Sequence, residues 1–317
     1  VTDTPLPTGA PTPPATGSAV RDLWRSLRRD SWAVAGAIVI VVLAVTAIAA
    51  PLLAAIEGQD PYTYHTELLD PANGRGAGVL GGISGSHWFG VEPLTGRDLF
   101  AIVVYGARTS FLIGVLATAA SVLLGVLLGA SAGYLGGWWD AAVSRVTDVL
   151  LGFPSLIFMI ALGVIAPAAI PRPVLLVSVI ALFGWPRVAR VVRAQTLSLR
   201  DRDFVRAAKV FGAGPWQVFR RELLPNLWAP IIVISTVTIP EKIGVEAALS
   251  FLGVGIPPPT PSWGRSISDA INWVRPDPMF LIFPGAALFL ATLAFNVLGD
   301  GLRDALDPRT SKAGRAE

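Results

Sequence analysis

SWAVAGAIVIVVLAVTAIAAPLLAAI, residues 31–56, contains no charged side chain. At the helical rise these residues span about 39 Å, more than the roughly 30 Å of a bilayer's hydrocarbon core. Arg21, Arg25, Arg28 and Arg29 precede the run. A secretory signal has a similar basic start but an apolar core of only about 7–15 residues. The run therefore reads as a retained transmembrane helix.

Working outward, residues 109–139, 149–170 and 279–299 are also free of charge. Of the 317 residues, 53% are hydrophobic and 15% charged. An average soluble domain carries about 25% charged residues. A soluble domain of this size could not hide so much apolar surface. A soluble enzyme, a collagen and a disordered chain are excluded, and long unbroken runs do not fit a β-barrel. Hydropathy gives six spanning helices, near 31–56, 108–134, 141–166, 173–197, 227–251 and 279–300. The expected fold class is thus an all-α membrane protein with six transmembrane helices. The fourth span is the weakest, because Arg187, Arg190 and Arg193 follow at steps of three. They read as one helical face leaving the bilayer on its basic side.

Lys and Arg set the orientation. With the N-terminus inside, inner segments hold 18 basic residues and outer segments six, leaving Lys242 within the fifth span. Both termini are expected in the cytoplasm. Trp32, Trp138, Trp139, Trp263 and Trp273 fall near span ends and read as interfacial anchors. Residues 1–17, rich in Pro, Thr, Ala and Gly, read as a disordered tail. There is no cysteine, and the two histidines, His65 and His87, read as solvated loop residues. No metal site is expected.

Three features stand out against this apolar background. In the second span Ala117, Ser121, Gly125, Gly129 and Gly133 recur every four residues, a stripe for close helix packing. It does not say whether the partner helix is in this chain. In the fifth span Glu241, Lys242 and Glu246 follow Pro240. Ionisable groups at such depth face a bundle interior or a wet cavity, so they are candidates for a polar pathway or an internal brace. Lys242 and Glu246 have the i,i+4 spacing of an ion pair. Between the fourth and fifth spans lies a charged inner loop of about 30 residues interrupted at Gly212-Ala213-Gly214-Pro215. It is expected to form two short helices joined by a bend and ending at Pro225.

Within that loop Phe204-Val205-Arg206-Ala207-Ala208, Gly212 and Leu224-Pro225-Asn226 resemble the Glu-Ala-Ala motif of bacterial ABC importer permeases. Three residues separate Ala208 from Gly212 and eleven separate Gly212 from Leu224, as in the motif. Three further segments resemble the oligopeptide/dipeptide/nickel group, and its C-type subunit most closely. They are His87-Trp88-Phe89-Gly90 with Gly96-Arg97-Asp98 and Tyr105-Gly106-Ala107-Arg108; Leu249-Ser250-Phe251-Leu252-Gly253 with Pro258-Pro259-Thr260-Pro261-Ser262-Trp263-Gly264; and Asn296-Val297-Leu298-Gly299-Asp300-Gly301-Leu302-Arg303-Asp304. The resemblance covers residues 25–309. Two positions depart from the motif: Arg206 replaces its usual glutamate, and Glu222 stands where an apolar residue is common.

The resemblance implies the ABC type I importer permease fold. Its domains would be a tail 1–17, an N-terminal segment with the first span 18–57 and an extracytoplasmic loop 58–107. A core 108–302 carrying the coupling loop 200–226 and a cytoplasmic tail 303–317 would complete the chain. It implies a second, different permease subunit, two cytoplasmic ATPase subunits and an external binding protein that delivers peptide, in the bacterial cytoplasmic membrane. Arg206, Ala207, Ala208, Gly212, Leu224 and Pro225 would couple to the ATPases. ATP and magnesium would sit on those partners, since none of the three lysines here lies in a phosphate loop. No cofactor on this chain and no nucleic-acid partner is expected, and no nucleophile–base group suggests catalysis. Nickel or another small solute is an alternative cargo. An ion-gradient carrier working alone would suit Glu241 and Lys242, but would not need the inner loop.

Overall fold

A computed structural model describes residues 27–306 except residue 79. The tail expected at 1–17 lies outside the described residues, and so does most of 303–317. Among the described residues the chain is helical, with isolated bridges Leu69–Gly76 and Val91–Asp98 in place of strands.

Helix α1, Ser31–Ile48, starts where the Asp30 carboxylate accepts the Trp32 and Ala33 amides at 2.9 and 3.2 Å. After Ala49 it resumes as α2, Ala50–Glu57, which stops at left-handed Gly58. Helix α3 is Leu99–Leu135. It begins nine residues before the span expected from hydropathy, because Asp98 caps it by accepting the Ala101 amide at 2.7 Å. The third span is not one straight rod. Helices α4, Gly137–Gly152, and α5, Ser155–Ile165, meet at 86°. Pro154 at the junction disfavours helical geometry for Phe153, and the break falls there. With this pair counted as one span, six helices are long and apolar enough to cross a membrane.

Helix α6, Arg172–Arg200, runs unbroken through Pro186. It is followed by the short α7, Asp203–Val210, and by α8, Pro215–Val218. The second inner helix does not end at Pro225. A π turn, Phe219–Leu223, joins α8 to α9, Leu224–Phe251, in one run of 37 residues. Pro225 lies just after the π turn, inside the continuous run, and its missing amide interrupts the regular hydrogen-bond ladder there. Helix α10, Trp263–Ala270, precedes the last span, α11, Met279–Leu306.

The main seam joins α3 to α6. The small-residue stripe lies along it, so its partner helix is in this chain. A β-carbon on Gly125 would stand 2.7 Å from Val188 Cγ1, and one on Gly129 would stand 2.8 Å from Ala189 Cα. One on Gly133 would meet the Arg193 carbonyl oxygen at 2.9 Å. Ala117 and Ser121 continue the stripe and are fully buried. A second seam joins α1 to α11, with Gly36 against the Ala294 carbonyl. Around these seams Ile38, Val41, Val45 and Ile48 of α1 and Leu112, Leu116 and Leu123 of α3 are exposed. In a soluble protein such a shell would aggregate; here it is the face a bilayer covers.

Trp263 corrects the expected ring of tryptophan anchors. It is 1% exposed, and its indole N–H donates to the Val103 carbonyl at 3.0 Å. The outer loop folds it back onto α3, packed against Phe111. Trp32 and Trp138 remain exposed.

Candidate functional site

The chain leaves α6 through Asp201 and Arg202 and enters α7. Val205 is the buried residue of that helix and packs with Val218 and Leu223, flanked by Ala208, Ala213 and Tyr134. This small core holds α7 against the start of the long α8–α9 run. Gly212 has φ +84°, a conformation open to glycine at little cost, and it turns the chain between the two helices. Arg206 and Ala207 point outward, Ala208 is half-buried, and Leu224 and Pro225 begin α9. Exposed apolar groups gather at the bend: Val210 at 85%, Phe211 at 90% and Trp216 at 70%. Phe211 lines a hollow of about 260 Å³ with Ala208, Gly212 and Arg221. Because α7 touches both α6 and the α8–α9 run, a push on it reaches two spans.

The charged residues of the spans are arranged differently from the expectation. Lys242 does not pair with Glu246. Its Nζ lies 3.3 Å from Glu241 Oε1, and Glu241 Oε2 accepts from Arg187 Nη1 at 2.8 Å. Glu246 turns to α3, accepting from Ser110 Oγ at 2.8 Å and from Ser250 Oγ at 2.7 Å. Ser110 in turn accepts the Trp263 amide at 3.4 Å, and Ser250 accepts the Ile256 amide at 3.2 Å. Glu246 is thus a fully buried brace for the outer loop, and Glu241 with Arg187 opens to a surface.

The three arginines of α6 do not mark one exit face. Steps of three rotate each side chain by about 60°. Arg187 reaches α9, whereas Arg190 meets Asp148 of α4 at 2.8 Å and Arg193 forks onto Asp140 of α4. Sequence reading missed Arg187 as a partner of Glu241, since it took the charge as the end of the span. The hydroxyls of Ser110 and Ser250 gave no signal at all.

The segment before α3 is ordered by buried polar groups. His87 is 6% exposed, not solvated, with Nδ1 2.8 Å from Asp98 Oδ2. His65 lies edge-on to it at 5.5 Å between ring centres. Glu57 Oε1 accepts the Trp88 amide at 2.6 Å. Burial, with the Asp98 carboxylate near it, pushes the Glu57 carboxyl up to about 7. Arg97 forks onto Glu92 at 2.6 and 2.9 Å and donates to the Pro259 carbonyl at 3.0 Å, joining both outer loops.

At the end of α11, Gly301 lets that helix approach Ala33 and Asp30 at the start of α1. Among the described residues no cluster of three metal-ligating side chains occurs.

Helices long and apolar enough to cross a membrane, two of them bridged by a helical hairpin, define a polytopic membrane protein. Residues 125–312 match the family described as binding-protein-dependent transport system inner membrane component. Residues 18–73 match the N-terminal TM domain of oligopeptide transport permease C. The chain is 39% identical over 288 residues to the glutathione transport system permease protein GsiD of Escherichia coli O6:K15:H31, covering 91% of this chain and 90% of that protein. It is 36% identical over 289 residues to the dipeptide transport system permease protein DppC of Alkalihalophilus pseudofirmus, with the same coverage. The chain belongs to this family: it is an ABC importer permease of the oligopeptide/dipeptide group, and no ATPase itself.

Proposed function

We propose that this chain is one half of the translocation pathway of an ATP-driven peptide importer in a bacterial cytoplasmic membrane. A second, different permease completes the pathway, and two cytoplasmic ATPase subunits bind ATP and magnesium. An external binding protein delivers di- or oligopeptides. Both termini and the 203–223 hairpin face the cytoplasm, in keeping with the 18-to-six distribution of basic residues. Peptide is favoured over nickel or another small solute by the printed functions of the two relatives, glutathione and dipeptide transport.

The observation that carries the coupling is the hairpin itself. Val210, Phe211 and Trp216 stand exposed at a bend held by Gly212, and behind it Val205 packs against Val218 and Leu223. A partner cleft that grips the bend moves α6 and α9 together, the rigid-body rocking by which transporter halves alternate access. Ala207 and Ala208 keep the gripping face low, and Arg206 offers a charge to an acidic partner.

The test is ATP hydrolysis by the reconstituted complex with and without loaded binding protein. Ala208→Trp and Gly212→Val should leave the spans inserted but weaken ATPase docking, abolishing stimulation by loaded binding protein and most uptake. Arg206→Ala should be milder. Full stimulation and uptake in both the Ala208 and Gly212 variants would sink the coupling role.

A further inference from the structure

Two cations share one carboxylate inside the bundle. Glu241 takes Arg187 on one oxygen at 2.8 Å and Lys242 on the other at 3.3 Å. At the helical rise Arg187 lies about 22 Å from the Arg172 end of α6. Glu241 lies about 15 Å from the Phe251 end of α9. The trio is therefore well within a hydrocarbon layer of about 30 Å. Charges at such depth belong to a bundle interior or a wet cavity.

The exposure pattern gives the direction. The Arg187 side chain is 65% exposed, Glu241 36% and Lys242 5%. The group opens on a face that this chain leaves uncovered, with Lys242 behind. Its charge does not close: two positive groups meet one negative. Among the described residues neither cation forms an ion pair with a second carboxylate, and Glu246 is turned away onto two serines. Donors are left over as well. A guanidinium carries five N–H donors and an ammonium three. Ser121 Oγ, fully buried and without a hydrogen-bond partner, borders the ammonium. A β-carbon on Gly184 would touch that oxygen and stand 2.9 Å from Lys242 Nζ, so glycine is what leaves this corner open.

We infer that Arg187 and Lys242 form a carboxylate subsite in the pathway, and that its ligand is the C-terminal carboxylate of the peptide in transit. The inference deepens the peptide-import reading and rests on it. Glu241 holds both cations in place between transport events. The arriving carboxylate supplies the missing negative charge and meets the free edge of the guanidinium fork, whose planar donors match a carboxylate. Lys242 and Ser121 stand behind that edge as a polar wall. A peptide without a free C-terminus leaves the excess positive charge unmatched in a low-dielectric place, and it should move slowly.

An acidic side chain offers the same chemistry, so three probes are needed: trialanine, trialanine amide, and the amide with a central glutamate. The complete complex is reconstituted in proteoliposomes, and uptake is measured at saturating binding protein loaded with each probe. Affinity for the binding protein then drops out. Wild type should move trialanine about tenfold faster than its amide, the scale of one charge-assisted hydrogen bond. Arg187→Gln should bring that ratio close to one by slowing the free acid, and Arg187→Lys should restore part of it. Lys242→Met, a near-isosteric change, should lower the ratio as well. Equal uptake of acid and amide by wild type overturns the subsite. So does a ratio that Arg187→Gln leaves unchanged, or loss of the second permease from the purified variant complex. If the glutamate-bearing amide moves as fast as trialanine, the C-terminal assignment is wrong. Failure of wild type to take up any of the three strikes the import reading itself, separately from the role of Arg187.

Discussion

Replacing Gly129 by alanine adds one methyl group, yet the α3–α6 seam has no room for it. The new β-carbon would stand 2.8 Å from Ala189 Cα, with the Ala189 carbonyl oxygen nearer still. Ordinary carbon contacts are about 3.5–4.0 Å, so the two helices must part by about 1 Å at this point. Both obstacles are backbone atoms, which cannot swing aside as a side chain does. Overpacking of this kind costs about 1–3 kcal/mol, and the better helix propensity of alanine returns about 1 kcal/mol. The net expected loss is up to about 2 kcal/mol, drawn from van der Waals contact, which dominates helix association in lipid. Gly285 of α11 is the control, because a β-carbon there meets nothing within 4 Å. Gly285→Ala should be neutral or stabilising by up to about 1 kcal/mol. Thermal unfolding of the purified complex in nanodiscs separates the two. A melting temperature lowered by a few degrees for Gly129→Ala, beside an unchanged or raised one for Gly285→Ala, is expected. Equal behaviour of the two variants would refute the close seam, and Gly129→Leu should then also assemble normally.

Other expectations follow from the orientation and from the outer cluster. Single cysteines in this cysteine-free chain should be labelled by an impermeant reagent in intact cells at position 75 and not at 215; the reverse would overturn the topology. Glu57 has an acid pKa raised from 4.5 to about 7, so between those values the folded outer segment binds more protons than the unfolded one. Its stability should fall as pH rises through that window and level off above it. Protection of the Trp88 amide, taken relative to the base-catalysed intrinsic exchange rate at each pH, should fall accordingly, and Glu57→Gln should flatten that profile. A profile that stays steep in Glu57→Gln would refute the role of Glu57.

Much of the fold was legible because charge-free runs leave little choice in a bilayer. The ends of the spans were less legible. Hydropathy starts the second span near Arg108, whereas the Asp98 cap extends its helix back over 99–107. Pro154 carried the signal for the bend in the third span. The π turn that carries α8 into α9 leaves no mark in local sequence, and Pro225 is compatible with a helix start as well as an end. Trp263 fitted an aromatic belt by position, and only the folded outer loop buries it against α3. The bend of the 203–223 hairpin was readable from Gly212 and Pro215 together. The Arg187–Glu241 pair was not, since it joins residues 54 apart through the crossing of two helices.

The central claim is that ATP hydrolysis on partner subunits, transmitted through the 203–223 hairpin, drives uptake. Proteoliposomes holding the complete complex, with loaded binding protein outside and ATP inside, test it directly. Peptide should accumulate with no ion gradient, and accumulation should vanish without ATP or in Gly212→Val. Accumulation driven by a proton or sodium gradient in the absence of ATP would contradict the account and favour a carrier working alone.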